Sequence, residues 1–155
     1  MRLLLLTLAL ATLAACSRPP RPEHAPPARL ALDGLVIESS TKLDVSDPNA
    51  RITAAAAAGA AWPGSPLEIA VKVLHGDLDT RELMIHEVKN RTEGADETVI
   101  EAAADGYLDD SGRGAWHRMV LRRQADRTWR LASHEIAYRC WRGHHLDAYS
   151  AELCP

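Results

Sequence analysis

The chain has 155 residues, and its 18 Lys and Arg residues against 21 Asp and Glu residues give a formal net charge of −3. A chain without a basic excess lacks the electrostatic footprint of nucleic-acid-binding proteins, so no nucleic-acid partner is expected. The length is sufficient for one domain with a hydrophobic core. Phe is absent and three of the four Trp residues lie in the last third of the chain, which predicts that large side chains anchor the core there.

The N-terminus has the layout of an export signal. Arg2 supplies one positive charge, and residues 3–13 are apolar apart from two Thr residues. This apolar run is too short to span a bilayer, which needs roughly 20 residues. It ends in Leu13-Ala14-Ala15-Cys16, a motif that resembles the lipobox of bacterial lipoproteins. The resemblance implies cleavage of residues 1–15 and attachment of lipid to Cys16. The other interpretation is an ordinary secretory signal with a coincidental cysteine.

Lipid attachment implies a place in the bacterial cell envelope. By resemblance to the sorting rule of Gram-negative lipoproteins, Ser17 in place of Asp after the cysteine favours the outer membrane, with the protein facing the periplasm. The membrane that holds the lipid is then the first expected partner.

A composition change after the cysteine predicts a tether followed by a domain. Residues 16–29 include five Pro residues and little that is apolar, which is typical of an extended linker. Residues 30–155 are expected to form a single domain. Its first part is ambiguous, because Leu35-Val36-Ile37 fits either a short strand or a loosely packed apolar stretch.

Two helices are predicted at the start of this domain. Asp47 and Pro48 fit an N-cap and a first helical position, and the alanine run that ends at Ala61 has the highest helix propensity. Residues 65–68, Ser-Pro-Leu-Glu, match a capping box and predict a second helix over residues 66–74. A strand is the alternative for this second segment, because its apolar residues also alternate.

From residue 80 onward the apolar residues follow a period of two, interrupted by turn signals. Four strands are predicted, at residues 82–89, 98–107, 115–123 and 128–141. The short links between them favour antiparallel pairing. The prediction is an α+β domain with N-terminal helices packed on a curved four-stranded antiparallel sheet. This architecture resembles cystatin-like and NTF2-like folds, which imply no activity by themselves.

The last predicted strand breaks the period of two. Trp129 and Leu131 have odd numbers, whereas Ile136 has an even number, so a regular strand would place them on opposite faces. A β-bulge near residues 132–134 would bring them to one face and bend the sheet. A sheet that is partly covered on both faces is the alternative.

With Cys16 assigned to lipid, Cys140 and Cys154 remain as an even pair in an oxidising compartment, which predicts a disulfide. A thiol pair that binds metal or performs redox chemistry is the alternative. The spacing of the two cysteines is not the C-x-x-C of redox motifs, which favours the disulfide.

The C-terminal half carries short motifs in a fixed order. They are Asp109-Asp110-Ser111, Arg113-Gly114, Trp129-Arg130, Arg139-Cys140, Arg142-Gly143-His144-His145 and Cys154. In this order, residues 97–155 resemble a group of small exported bacterial proteins of unknown function. The chain departs from the pattern of the group at Gly112 and in the two histidines after Gly143. The resemblance implies a C-terminal disulfide and no assigned chemistry.

Arginines on the predicted sheet are candidates for ligand binding. Arg118, Arg122 and Arg130 are expected to share one sheet face, which could receive an acidic ligand or an anionic polymer. The alternative is the solvated face of an antiparallel sheet.

Asp109 and Asp110 are candidates for a general acid/base pair, with a hydrogen-bonded turn as the alternative.

Histidines in the C-terminal tail are candidates for metal binding. His144, His145 and Asp147 have ligand types that bind metals, although the side chains of neighbouring histidines on an extended chain point in opposite directions. Two further ligands would be needed, for which His134 and Glu135 are candidates. A polar loop inside the disulfide ring is the alternative.

The sequence contains neither a G-x-S-x-G motif nor a Gly-rich phosphate loop, so a hydrolase is not indicated and no cofactor is expected. The predicted function is that of a membrane-anchored, non-enzymatic domain that binds a protein or polymer of the cell envelope. The alternative is a small-ligand-binding or enzymatic domain that uses the concave face of the sheet.

Overall fold

The computed structural model describes residues 32–75 and 79–155. The predicted signal peptide over residues 1–15, the lipidation site at Cys16 and the rest of the tether lie outside these residues. Within the described part of the chain, no helix is long and apolar enough to cross a bilayer.

Five strands form one open antiparallel sheet. They are β1 (Thr41–Leu43), β2 (Glu82–Lys89), β3 (Glu97–Asp105), β4 (Gly112–Arg123) and β5 (Trp129–Cys140). Their order in the sheet is β1-β5-β4-β3-β2, so consecutive strands from β2 to β5 are neighbours, as short links require. The predicted α+β class and the antiparallel pairing are confirmed.

The predicted number of four strands is wrong, because β1 is a fifth strand. It pairs with β5 through Thr41↔Ile136, Lys42↔Glu135 and Leu43↔His134. All three of its residues are exposed. A strand this short and this exposed has no alternation of apolar and polar residues, so the period-two pattern could not reveal it.

Two helices lie between β1 and β2 in the chain, namely α1 (Ser46–Ala57) and α2 (Pro66–Val73). The expected cap of α1 at Asp47 is wrong, because Val45 precedes the helix and Pro48 is its third residue. Asp44 accepts hydrogen bonds from the backbone N–H of Ser46 at 3.0 Å and from its hydroxyl at 2.8 Å. A carboxylate one turn earlier than predicted therefore holds the entry to α1.

The ends of the helices follow known capping rules. After α1, Gly59 has a φ of +76°, its N–H donates to the carbonyl of Ala56, and Ala60 donates to Ala55. This Schellman arrangement favours glycine at its left-handed position. At the start of α2, the Ser65 hydroxyl accepts from the N–H of Glu68. The predicted cap at Ser65 and the second helix are confirmed, and the alternative strand is excluded. The reciprocal bond of a capping box is replaced, because the Ser65 N–H donates to the carbonyl of Trp62.

The predicted β-bulge is present in β5. Val120 of β4 pairs with Ser133, and the next residue, Leu121, pairs with Leu131, so Ala132 is the additional residue. The side-chain amide of Asn49 in α1 donates to the Leu131 carbonyl and accepts from its N–H, both at 2.9 Å. The helix thus satisfies the backbone of β5 directly beside the bulge.

Both faces of the sheet are partly covered. On one side, which we call the helix face, α1 and α2 pack on the sheet to form the larger core. This core consists of Ile52, Ile69, Ala70, Leu74, Ile100, Ala102, Met119, Leu121, Trp129 and Leu131. The opposite side, which we call the outer face, holds a smaller cluster. It consists of Ala103, Trp116, Ala137 and Tyr149, with Leu32, Leu35 and Ile37 packed against them.

The C-terminal tail is joined covalently to the sheet. Cys140, the last residue of β5, forms a disulfide with Cys154, which confirms the predicted pairing. The expectation that the late tryptophans anchor the core is met by Trp116 and Trp129, which are buried. Trp141 is instead 46% exposed, and the Arg113 guanidinium lies over its ring at 5.1 Å from the centroid.

A substitution at Gly114 tests the close approach of β3 and β4. A Cβ atom at Gly114 would collide with the backbone carbonyl oxygen of Ala104. We expect Gly114→Ala to lower the free energy of unfolding by about 3 kcal/mol, because strand backbones cannot move apart without losing hydrogen bonds. Urea unfolding measures the change. Gly112→Ala is the matched control, since the nearest atom there is 3.8 Å from the new Cβ, and equal midpoints for the two variants would contradict the register.

Candidate functional site

One row of side chains crosses all five strands on the outer face. From β2 to β1 the row consists of His86, Glu101, Arg118, Glu135 and Lys42. Arg118 Nε lies 3.7 Å from Glu101 Oε1, and Arg118 Nη1 lies 3.9 Å from Glu135 Oε1. The charge of Arg118 is therefore balanced by two carboxylates of the protein, which leaves little attraction for an anionic ligand at this point.

The other two predicted arginines lie further along the same face. Arg122 and Arg130 are Cα partners in the β4–β5 register, and Arg122 Nε is 2.9 Å from Glu97 Oε2. Arg130 Nη1 donates to the Thr128 hydroxyl at 3.1 Å and to the carbonyl of Trp129 at 3.0 Å. The strand register thus brings all three arginines to the outer face, and their binding to an anion stays a prediction.

Asp109 shapes the turn between β3 and β4. Its carboxylate accepts hydrogen bonds from the N–H of Gly112 at 2.8 Å, and from the N–H and hydroxyl of Ser111 at 2.6 and 2.9 Å. These bonds, led by the one from Gly112, hold the pKa of Asp109 below its ordinary value. A general acid near neutral pH needs a raised pKa, so the geometry favours the turn over the acid/base pair.

Two histidines that the sequence did not connect meet on the helix face. His117 Nδ1 lies 3.0 Å from His134 Nε2, and both side chains are buried. His134 therefore lies away from the tail histidines, and Glu135 belongs to the charged row. The expectation that these two residues complete a metal site with His144 and His145 is not matched. His117 and His134 fall on the same alternating positions as apolar residues of their strands, and this pattern is the sequence signal that marks them as core residues.

A groove of about 430 Å³ lies between α1 and α2. Its apolar lining includes Ile52, Trp62, Ile69 and Val71. Its polar side chains are Arg51, Lys72 and His75, and none of the described residues that line it is acidic. Lys72 Nζ lies 5.2 Å from the centroid of the Trp62 ring. In a chain with a formal net charge of −3, this groove combines an apolar floor with a basic rim.

The tail histidines converge, contrary to the sequence-based interpretation. His145 has a φ of +55°, so the chain is not extended here, and the rings of His144 and His145 approach edge to face with centroids 4.6 Å apart. His144 Nε2 lies 3.4 Å from Glu152 Oε2, and His145 Nε2 lies 3.3 Å from the same oxygen. Histidine adopts left-handed backbone angles more readily than most residues, but no local pattern announces it.

The Asp109 turn makes acid stability testable. Because the folded-state pKa of Asp109 is lowered, its contribution to stability is present above the unfolded-state pKa and is lost as pH falls through the folded-state pKa. We expect NMR titration to place the Asp109 pKa below the ordinary value for Asp. Asp109→Asn should flatten the fall of stability below about pH 4. Asp110→Asn leaves the three hydrogen bonds in place and serves as control, and a normal Asp109 titration would contradict this account.

Comparison with models of protein families, with curated proteins and with solved structures gives no significant match to this chain. The resemblance of residues 97–155 to small exported bacterial proteins therefore stays a prediction. Three features bear on the function of the chain. They are the motif that ends at Cys16, the groove between α1 and α2, and the histidines inside the disulfide loop.

Proposed function

We propose that the protein is a lipid-anchored lipoprotein of the bacterial cell envelope whose domain binds an acidic segment of another envelope protein, without catalysing a reaction. The groove between α1 and α2 is the observation that carries the binding role. Its basic rim complements carboxylates, and its apolar floor accepts an aliphatic or aromatic side chain.

The anchoring rests on the motif Leu13-Ala14-Ala15-Cys16 and on the apolar run before it. Two or three acyl chains on one cysteine, at ~0.8 kcal/mol per buried CH₂, bind a membrane almost irreversibly. The disulfide between Cys140 and Cys154 supports the proposal, because disulfides persist in oxidising compartments such as the periplasm. Ser17 favours the outer membrane as the site of anchoring.

The composition of the tether suits a domain that meets partners away from the bilayer. If residues 16–29 are extended, as their Pro content predicts, they reach about 40 Å at about 3.1 Å per residue. A domain on such a tether samples partners within that radius at a raised effective concentration.

The groove has the composition of a protein-binding surface. Val71 lines the groove and is 37% exposed, so a partner can contact its side chain. Trp62 lines the groove as well, and its ring lies beside the Lys72 ammonium group. Aromatic and arginine side chains around an apolar centre are the usual sources of binding energy at protein interfaces. The positive charges of Arg51 and Lys72 on its rim favour a partner with negative charge.

The alternative of a small ligand on the concave face receives less support. If the bulge at Ala132 curves the sheet in the manner of cystatin-like or NTF2-like proteins, its concave side is the helix face. That face is filled by core side chains such as Met119, Leu121 and Trp129. A groove between the helices is compatible with this packing, whereas a deep pocket between the helices and the sheet is not.

Replacement of Cys16 tests the anchor. We expect Cys16→Ser to abolish incorporation of labelled palmitate, because the sulfur atom is the attachment point. Metabolic labelling in a Gram-negative host measures the effect. Cys154→Ser removes a different cysteine and should retain the label. Labelling of Cys16→Ser at the level of the wild type would contradict the proposal.

Site-specific photo-crosslinking tests the groove. A photoreactive amino acid at Val71 should join the full chain to a partner in intact cells, whereas the same group at Val88, which is 52% exposed on β2, should not. We expect Lys72→Glu to lower the crosslink yield about tenfold, because it places like charges together. Mass spectrometry of the crosslinked peptide should identify an acidic segment. Equal crosslinking from Val71 and Val88, or a basic partner segment, would contradict the proposal.

A further inference from the structure

We infer that His144, His145 and Glu152 form a binding site for one divalent transition-metal ion, with zinc as the reference ion. Each of the three residues offers one ligand atom, and these atoms lie within 4.8 Å of one another. This site is separate from the groove between α1 and α2 and does not depend on the proposed binding role.

The backbone of the tail builds the cluster. His144 and His145 lie between the two cysteines of the disulfide, and the carbonyl of His145 accepts a hydrogen bond from the N–H of Cys140 at 3.2 Å. Ser150, just before Glu152, exchanges two backbone hydrogen bonds with Tyr138 of β5, at 2.7 and 2.9 Å. Both halves of the cluster are therefore fixed to the same strand, which limits the entropy cost of holding an ion.

The distances suit a tetrahedral ion. Bonds of about 2.05 Å from zinc to nitrogen and oxygen place neighbouring ligand atoms about 3.3 Å apart in a tetrahedron. Glu152 Oε2 lies 3.4 Å from His144 Nε2 and 3.3 Å from His145 Nε2. Two of the three ligand-to-ligand distances thus need almost no adjustment. The edge-to-face arrangement of the two rings directs their nitrogens toward the shared oxygen instead of stacking them.

A second carboxylate orients the ring of His145. Its Nδ1 lies 3.0 Å from Glu38 Oε2, while its Nε2 faces Glu152. A hydrogen bond from Nδ1 to Glu38 leaves Nε2 as the nitrogen that can bind an ion beside the Glu152 oxygen. A histidine held by a carboxylate on its far side is the usual environment of a metal-binding histidine.

The ligand set selects the class of ion. Two imidazoles and one carboxylate suit zinc and its first-row neighbours, whereas calcium and magnesium prefer oxygen ligands alone. Three protein ligands leave the fourth tetrahedral position open, as in zinc sites that hold a water molecule or an exchangeable ligand. His145 is 19% exposed and Glu152 is 70% exposed, so solvent and a ligand can reach that position.

Zinc titration of the full chain tests the inference. Lipidated protein in detergent, with the disulfide formed and metal removed by chelation, is titrated with ZnCl₂ by calorimetry. We expect one zinc ion to bind per chain, and His145→Ala and Glu152→Gln to weaken the affinity at least tenfold. Glu38→Gln should weaken it about tenfold to a hundredfold while the ion is still bound, because Glu38 orients His145 without touching the metal. Cobalt bound in place of zinc should give the intense visible absorption of four-coordinate Co²⁺.

His86→Ala is the matched control, since His86 is an exposed histidine on β2 and lies outside the cluster. It should bind zinc like the wild type. Glu152→Gln preserves the shape of a mostly exposed side chain, so it keeps the test decisive if a histidine variant fails to fold. Absence of zinc binding in the wild type, equal affinity in Glu152→Gln, or the weak absorption of six-coordinate Co²⁺ would overturn the inference.

Discussion

The additional residue in β5 is the constraint on which the rest of the structure depends. Ala132 shifts the alternation of the strand, so that Trp129 and Leu131 before it and Ile136 after it face the same side. Without this shift, one half of β5 would present its apolar residues to the wrong face. The amide of Asn49 pairs with the backbone of Leu131 at this point, so α1 docks where the strand is irregular.

The same sheet supports different features on its two faces and at its end. The helix face is filled by the main core, and the groove lies between the two helices that cover it, with Ile52 and Ile69 common to both. The outer face carries a row of alternating charges in which Arg118 is neutralised by its neighbours. The disulfide and the pairing of Ser150 with Tyr138 bring the tail back to β5, which creates the histidine cluster.

Local signals in the sequence were sufficient for most of the elements. The period of two located β2 to β5, the capping box located α2, and the broken alternation of β5 located the bulge. β1 was missed because it has three exposed residues, and the cap of α1 was misplaced because Asp44 stands outside the helical pattern. The histidine cluster depends on the left-handed backbone of His145 and on contacts with distant Glu38, neither of which has a local signature.

Residues 36–38 pair with Tyr149 of the C-terminal tail, and this pairing has a mechanical consequence. Glu38 donates its N–H to the carbonyl of Tyr149, and Tyr149 donates to Val36, so the chain that leaves the predicted tether is bonded to the C-terminus. Tension applied through an N-terminal anchor is therefore passed first to the segment that the disulfide attaches to β5. The load therefore reaches β5 through the tail as well as through the edge strand β1, so unfolding from the N-terminal end requires the pairing of Glu38 with Tyr149 to break.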